Sequence, residues 1–162
     1  MHQIKVFLCD CDGTLTDGGM YYLENGQQFK KFSVADGIGF ELLKSAGIKT
    51  GILTGEVTLI VEHRAKKLKV DYLYQGCSPQ GKLEAAREIC AKEGISLEQV
   101  AYVGDDVNDL PLLEQVGLKA CVQNAHAHLK ALPGILVSDK RGGEGGVRAL
   151  VDWILCHPKV LL

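Results

Sequence analysis

Charge of one sign is scarce in this sequence. Its 18 Lys and Arg nearly balance 20 Asp and Glu, leaving a formal net charge of -2. Without a basic excess, neither nucleic acid nor an anionic membrane is expected as the main partner. No apolar run is long enough to span a bilayer, and the start, Met1-His2-Gln3-Ile4, has no signal-peptide pattern. A cytoplasmic protein is expected. None of the six cysteines (Cys9, Cys11, Cys77, Cys90, Cys121, Cys156) forms a CxxC pair. They read as reduced, small core residues, with a metal-thiolate role for Cys9 and Cys11 as the alternative. His63, His126 and His128 are not spaced with carboxylates as zinc ligands are, so they read as surface or packing residues. Internal repeats, low-complexity segments and linkers are all missing, and 162 residues suit one domain, 1–162, rather than two.

What is present is an ordinary globular composition, 46% hydrophobic and 23% charged, with one unusual stretch. The apolar run Val6-Phe7-Leu8-Cys9 ends abruptly in Asp10-Cys11-Asp12-Gly13-Thr14-Leu15-Thr16-Asp17-Gly18. Such a run predicts a strand buried on both faces, and Gly13 permits a sharp turn after it. Asp10 and Asp12 can then rim one pocket. Two close carboxylates repel, and burying them unpaired is costly. A hard cation such as Mg2+, which prefers oxygen ligands, removes the conflict. A carboxylate in that setting can attack phosphorus, and a second can move protons. The alternative is a polar turn after a core strand.

Further along, Met20–Leu23 and Gln27–Phe32 flank Glu24-Asn25-Gly26, which predicts a hairpin over about 18–33 that can overhang the aspartates as a flap. Helices are predicted over Asp36–Ala46, Val57–Leu68, Ser78–Lys92, Asp109–Val116, His126–Leu132 and Val147–Cys156, the last closed by Pro158 before an apolar tail. Strands are predicted at Lys49–Leu53, Val70–Tyr74, Val100–Val103, Lys119–Val122 and Ile135–Val137. This alternation predicts an α/β fold, a single doubly wound parallel sheet with helices on both faces and no cap domain. Ligands in such sheets bind at the carboxyl ends of strands, where Asp10, Thr54 and Asp105 all fall.

Thr54, before Gly55, can hold a phosphoryl oxygen with its hydroxyl and nearby N–H groups, or simply start a loop. Lys82 lies in the first turn of a helix, against the macrodipole, and reads either as functional or as a solvated surface residue. Asp105, Asp106 and Asp109 crowd the junction Gly104-Asp105-Asp106-Val107-Asn108-Asp109, where they can meet a cation or cap the helix that follows.

Taken together, DxDGT at Asp10–Thr14, Thr54, Lys82 and GDDxxD at Gly104–Asp109 resemble the four motifs of the haloacid dehalogenase-type phosphatases. The resemblance implies that Asp10 is the nucleophile and Asp12 the general acid/base. Thr54 then binds the transferred phosphoryl group and Lys82 neutralises it. Asp10, Asp105 and the backbone carbonyl of Asp12 would hold Mg2+, with Asp106 and Asp109 behind them. DGxxTDGG (Asp12–Gly19), ILTGE (Ile52–Glu56), YQG (Tyr74–Gly76), AYVGDDxND (Ala101–Asp109) and KRGGEG (Lys140–Gly145) are similar to the capless 3-deoxy-D-manno-octulosonate 8-phosphate phosphatases and their nononate 9-phosphate relatives. That resemblance implies a sugar-acid phosphate substrate and a homotetramer whose neighbouring subunits close each site.

The octulosonate branch usually carries Arg after Thr-Gly; here the residue is Glu56, as in the nine-carbon branch. Glu56, Arg64 and Lys67 recur at helical spacing and can share one face that meets a sugar acid's hydroxyls and carboxylate, or can form an exposed charged face. Arg141, before Gly142-Gly143, is another candidate anion contact or part of a flexible turn. Two other functions fit parts of the pattern. A signalling receiver domain also uses a phosphorylated Asp, a Thr and a Lys, but has nothing like Asp12. A non-catalytic partner subunit of a sugar-nucleotide synthetase would not need the intact motif set.

Overall fold

The computed structural model of the chain describes residues 3–157. The expected stop at Pro158 and the apolar tail Val160–Leu162 lie outside the described residues.

Val6, Phe7, Leu8 and Cys9 form the first strand, β1 (Val6–Cys9), and all four are fully buried. Successive strand side chains point to opposite faces, so β1 must be covered on both. A two-stranded hairpin follows, β2 (Tyr21–Tyr22) and β3 (Gln28–Phe29). It is shorter than the sequence predicts. Asn25 Oδ1 accepts from the Gln27 N–H, and Leu23 N–H donates to the Gln27 carbonyl, so the turn itself uses several of the β-prone residues.

The remaining elements alternate: α1 (Val34–Ser45), β4 (Lys49–Leu53), α2 (Leu59–Leu68), β5 (Tyr72–Tyr74), α3 (Pro79–Glu93), β6 (Val100–Gly104), α4 (Leu110–Leu113), β7 (Leu118–Cys121), α5 (Ala127–Lys130), β8 (Leu136–Val137) and α6 (Gly146–Cys156). α1 packs against α2 and α6, and α3 packs against α4. Ser33, Thr58 and Ser78 each accept a backbone N–H at a helix start, and Gly94 ends α3 in the left-handed region. α2 begins at Leu59, so Glu56 lies in the loop before it and does not share a helical face with Arg64 and Lys67. The helix expected over Asp109–Val116 is instead a 3-10 turn, Val107–Asp109, followed by the short α4.

The sheet order is β5-β4-β1-β6-β7-β8, every pair parallel. Numbered among the parallel strands alone, this is the doubly wound order 3-2-1-4-5-6, whose ligand crevice opens where the order reverses. Here that point lies between β1 and β6, which puts the segments after Cys9 and Gly104 side by side.

Candidate active site

The crevice holds a cavity of about 320 Å³ lined by residues of three loops: Asp10 and Asp12 after β1, Thr54, Gly55 and Glu56 after β4, and Asp105 to Asn108 after β6. Gly13 has φ +85°, and a Cβ there would stand 2.0 Å from Asp105 Oδ2. Only glycine therefore lets the β1 loop turn this close to the β6 loop. The turn is laced by Thr16, whose hydroxyl accepts from the N–H groups of Gly13 and Gly18, and by Thr14, whose hydroxyl donates to Asp105. From the other side, Asn124 donates to the Gly13 carbonyl at 3.1 Å and accepts from the Gly142 N–H at 2.6 Å.

Lys82 is not a solvated surface residue. It is 1% exposed, and its ammonium lies 3.0 Å from Asp10 and 2.7 Å from Asp109. Asp109 is fully engaged: its Oδ1 accepts from Lys82 and from Tyr102 Oη at 2.6 Å, and its Oδ2 accepts from the backbone N–H groups of Asp105 and Asp106. Tyr102 went unnoticed in the sequence, although a tyrosine inside a buried strand needs a partner for its hydroxyl. Burial works against the Lys82 charge, but the two carboxylates outweigh it and raise its pKa.

Asp10 is pushed up to about 8, first by burial and then by the Asp109 carboxylate, against the pull of Lys82. Asp105 is pushed up to about 6, again by burial and then by Asp109. One lysine is thus too little positive charge for this pocket. Oxygens of Asp10, Asp105 and Asp109 lie within 4.8 Å of one another. Asp109 already has its donors, so Asp10 and Asp105 are the carboxylates with capacity left for a cation. An all-oxygen set that is short of positive charge suits a hard divalent ion. Asp106 is exposed, and its Oδ1 accepts from the Val107 N–H.

The Asp12 carboxylate takes another course. It forms an ion pair with Lys30, which also reaches Glu56 Oε2 at 2.7 Å. Any bond from Asp12 to a metal at the Asp10 group would therefore come from its backbone carbonyl. Lys30 had no sequence signal beyond its place on the predicted hairpin. Thr54 is 1% exposed and held by β5, its N–H donating to the Tyr74 carbonyl. Arg64 and Lys67 do not line this cavity. They open onto a separate groove with Phe29, Phe32, Ile60 and His63, where Arg64 donates to the Ser33 carbonyl and lies over the Phe32 ring. Arg141 is exposed on the loop that Asn124 ties to Gly13.

Fold and crevice together define a hydrolase class. Residues 39–117 match the haloacid dehalogenase-like hydrolase family. The chain is 41% identical over 154 residues to 3-deoxy-D-manno-octulosonate 8-phosphate phosphatase KdsC of Yersinia pestis, covering 94% of this chain and 80% of the relative. KdsC of Escherichia coli (strain K12) is 40% identical over the same shares. The crystal structure of 3-deoxy-D-manno-octulosonate 8-phosphate phosphatase from Moraxella catarrhalis, in complex with magnesium ion, phosphate ion and a KDO molecule, matches with a TM-score of 0.89. It is 37% identical, over 94% of this chain and 86% of that one. The chain belongs to this phosphatase family within the haloacid dehalogenase-like hydrolases, and it is a phosphatase.

Proposed function

We propose that the chain is a Mg2+-dependent phosphomonoesterase acting on a 3-deoxy-2-ulosonate phosphate through an aspartyl phosphate on Asp10. The observation that carries this is the buried Lys82 bridge between Asp10 and Asp109, set beside Asp105 at the switch point of the sheet. The names of the relatives supply the substrate class, and the magnesium and phosphate in the Moraxella structure support the metal and the phosphoryl site.

The phosphoryl group sits over Asp10, with its oxygens on the Thr54 hydroxyl and the N–H groups of the Gly55 loop. An Asp10 oxygen attacks phosphorus, and the bond to the sugar oxygen breaks as Asp12 gives that oxygen its proton. Water then attacks the aspartyl phosphate while Asp12 takes its proton, which frees phosphate and restores Asp10. Lys82 offsets negative charge on the nucleophile and the phosphoryl group throughout, and Asp109 keeps it in place. Mg2+, held by Asp10, Asp105 and the Asp12 carbonyl with Asp106 behind, supplies further charge neutralisation.

Glu56 lines the cavity and can accept hydrogen bonds from sugar hydroxyls. With Glu rather than Arg at this position, the nine-carbon sugar-acid phosphate is the favoured substrate over the eight-carbon one. Arg64, Lys67 and Arg141 lie outside the cavity wall, so they meet the substrate carboxylate only if that surface faces a neighbouring subunit's cavity, as a homotetramer allows. Phosphate release is the test. The eight- and nine-carbon sugar-acid phosphates are compared with p-nitrophenyl phosphate, each with Mg2+ and with chelator. Mg2+-dependent release that favours a sugar-acid phosphate is expected; full activity after chelation, or a preference for the generic ester, rejects the reading.

A further inference from the structure

Lys30 is the hairpin side chain that touches the cavity's carboxylates among the described residues. It follows β3, and its side chain is only 6% exposed although its neighbours Phe29 and Lys31 are open to solvent. Its ammonium pairs with Asp12 Oδ1 and, at 2.7 Å, with Glu56 Oε2. Burial opposes its charge, but the two carboxylates outweigh that and raise its pKa.

The hairpin that delivers it is braced at its base. Thr16 bridges to Phe32, Tyr21 stacks on Phe29 with ring centroids 4.9 Å apart, and the Tyr21 hydroxyl bonds Asp17. Asp12 and Glu56 belong to different loops, after β1 and after β4, and both are negative except when Asp12 carries the proton it delivers to the leaving oxygen. Without a cation between them they would repel across the mouth of the cavity, and neither loop alone fixes their separation. Lys30 also lines the groove that holds Arg64 and Lys67, so its ion pairs link that groove to two residues that line the cavity.

We propose that Lys30 is a positioning residue that sets substrate specificity: it clamps the Asp12 and Glu56 side chains at one separation, so that a sugar acid's hydroxyls meet Glu56 while its bridging oxygen meets Asp12. The proposal rests on the acid/base reading of Asp12 and the substrate-contact reading of Glu56. It adds that the hairpin, rather than either loop, aligns the two.

The test is a double-mutant cycle of Lys30→Met and Glu56→Ala in the full chain with Mg2+. Initial rates are read on the nononate 9-phosphate and on p-nitrophenyl phosphate, which has no sugar hydroxyls to align. Lys30→Met is expected to lower kcat/KM on the sugar-acid phosphate about ten- to a hundred-fold, as for groups moved out of alignment with the substrate, and to lower the ratio to p-nitrophenyl phosphate as well. The double variant is expected to lose little more than the worse single one. Thermal melts check folding, and Lys30→Gln replaces Lys30→Met if the latter melts early. If Glu56→Ala lowers the ratio but the Lys30 variant leaves it unchanged, or adds to the loss independently, the clamp is rejected and the Glu56 contact stands. If Glu56→Ala itself leaves the ratio unchanged, the Glu56 contact is wrong and the clamp falls with it.

Discussion

Asp10 sits in a pocket whose charges constrain its chemistry tightly. Its carboxylate is buried, faces a second buried carboxylate across Lys82, and among the described residues pairs with no basic residue other than Lys82. Asp10→Asn keeps the size of the side chain and a hydrogen-bonding partner for Lys82, but an amide oxygen does not form the acyl phosphate. Turnover should fall by several orders of magnitude while the melting temperature stays near that of the wild type, because Lys82 keeps Asp109 as its charge partner. Phosphate-release assays beside thermal melts decide this, and substantial turnover by a folded Asp10→Asn protein would exclude covalent catalysis at this position.

At the scale of elements, the site depends on loops pressed together more than on any one strand. The segment Lys140–Gly145 packs on the turn after β1 so closely that a Cβ on Gly142 would stand 1.9 Å from the Gly13 carbonyl oxygen and 2.8 Å from that of Thr16. Both obstacles are backbone atoms, so neither can swing away. Gly142→Ala should therefore shift the turn that carries Asp12 and Thr14, destabilise the protein by about 1–3 kcal/mol, and lower kcat although residue 142 does not line the cavity. Melting curves and steady-state rates check both parts; a variant with wild-type stability and rate would show that the loop yields freely.

For the whole molecule, two expectations follow from charge and from exposed surface. Burial and the Asp109 carboxylate push Asp10 up to about 8 and Asp105 up to about 6, both above their ordinary 3.8. Between about pH 4 and pH 8 the folded state then holds protons that the unfolded chain has released, so these two groups make stability fall as pH rises through that window. Mg2+ competes with those protons, so the rise in melting temperature on adding Mg2+ should grow from pH 5 to pH 8. An increment that does not change with pH would count against Asp10 and Asp105 as the ligands. The second expectation concerns assembly. Met20, Tyr22, Leu23 and Phe29 on the hairpin are each about half exposed, and Val57 and Leu59 before and at the start of α2 are more so. Exposed apolar side chains grouped in this way are expected to be covered by another copy of the chain. Light scattering at micromolar concentration should give about four times the 17.6 kDa chain mass; a fully active monomer would refute the tetramer.

The alternation of apolar runs with helix caps already implied the parallel sheet, because a strand buried on both faces and a Ser, Thr or Pro at a helix start are local signals that need no distant partner. Asp10, Thr54 and Asp105 were legible in the same way, each following an apolar strand. What the chain could not disclose locally was pairing across distance. Lys82 stands out in the sequence by its place against the macrodipole, but its partners appear only when α3 packs it against the ends of β1 and β6, and Tyr102 reads as core until Asp109 turns back onto it. Glu56, Arg64 and Lys67 have helical spacing, yet the Thr58 cap starts the helix after Glu56, so that one acid faces the cavity and the two cations a separate groove. Lys30 had nothing in its neighbourhood to distinguish it. Only the fold of the hairpin over the crevice brings its charge between Asp12 and Glu56, because ion pairs between loops depend on where the strands end in space, not on the order of residues along the chain.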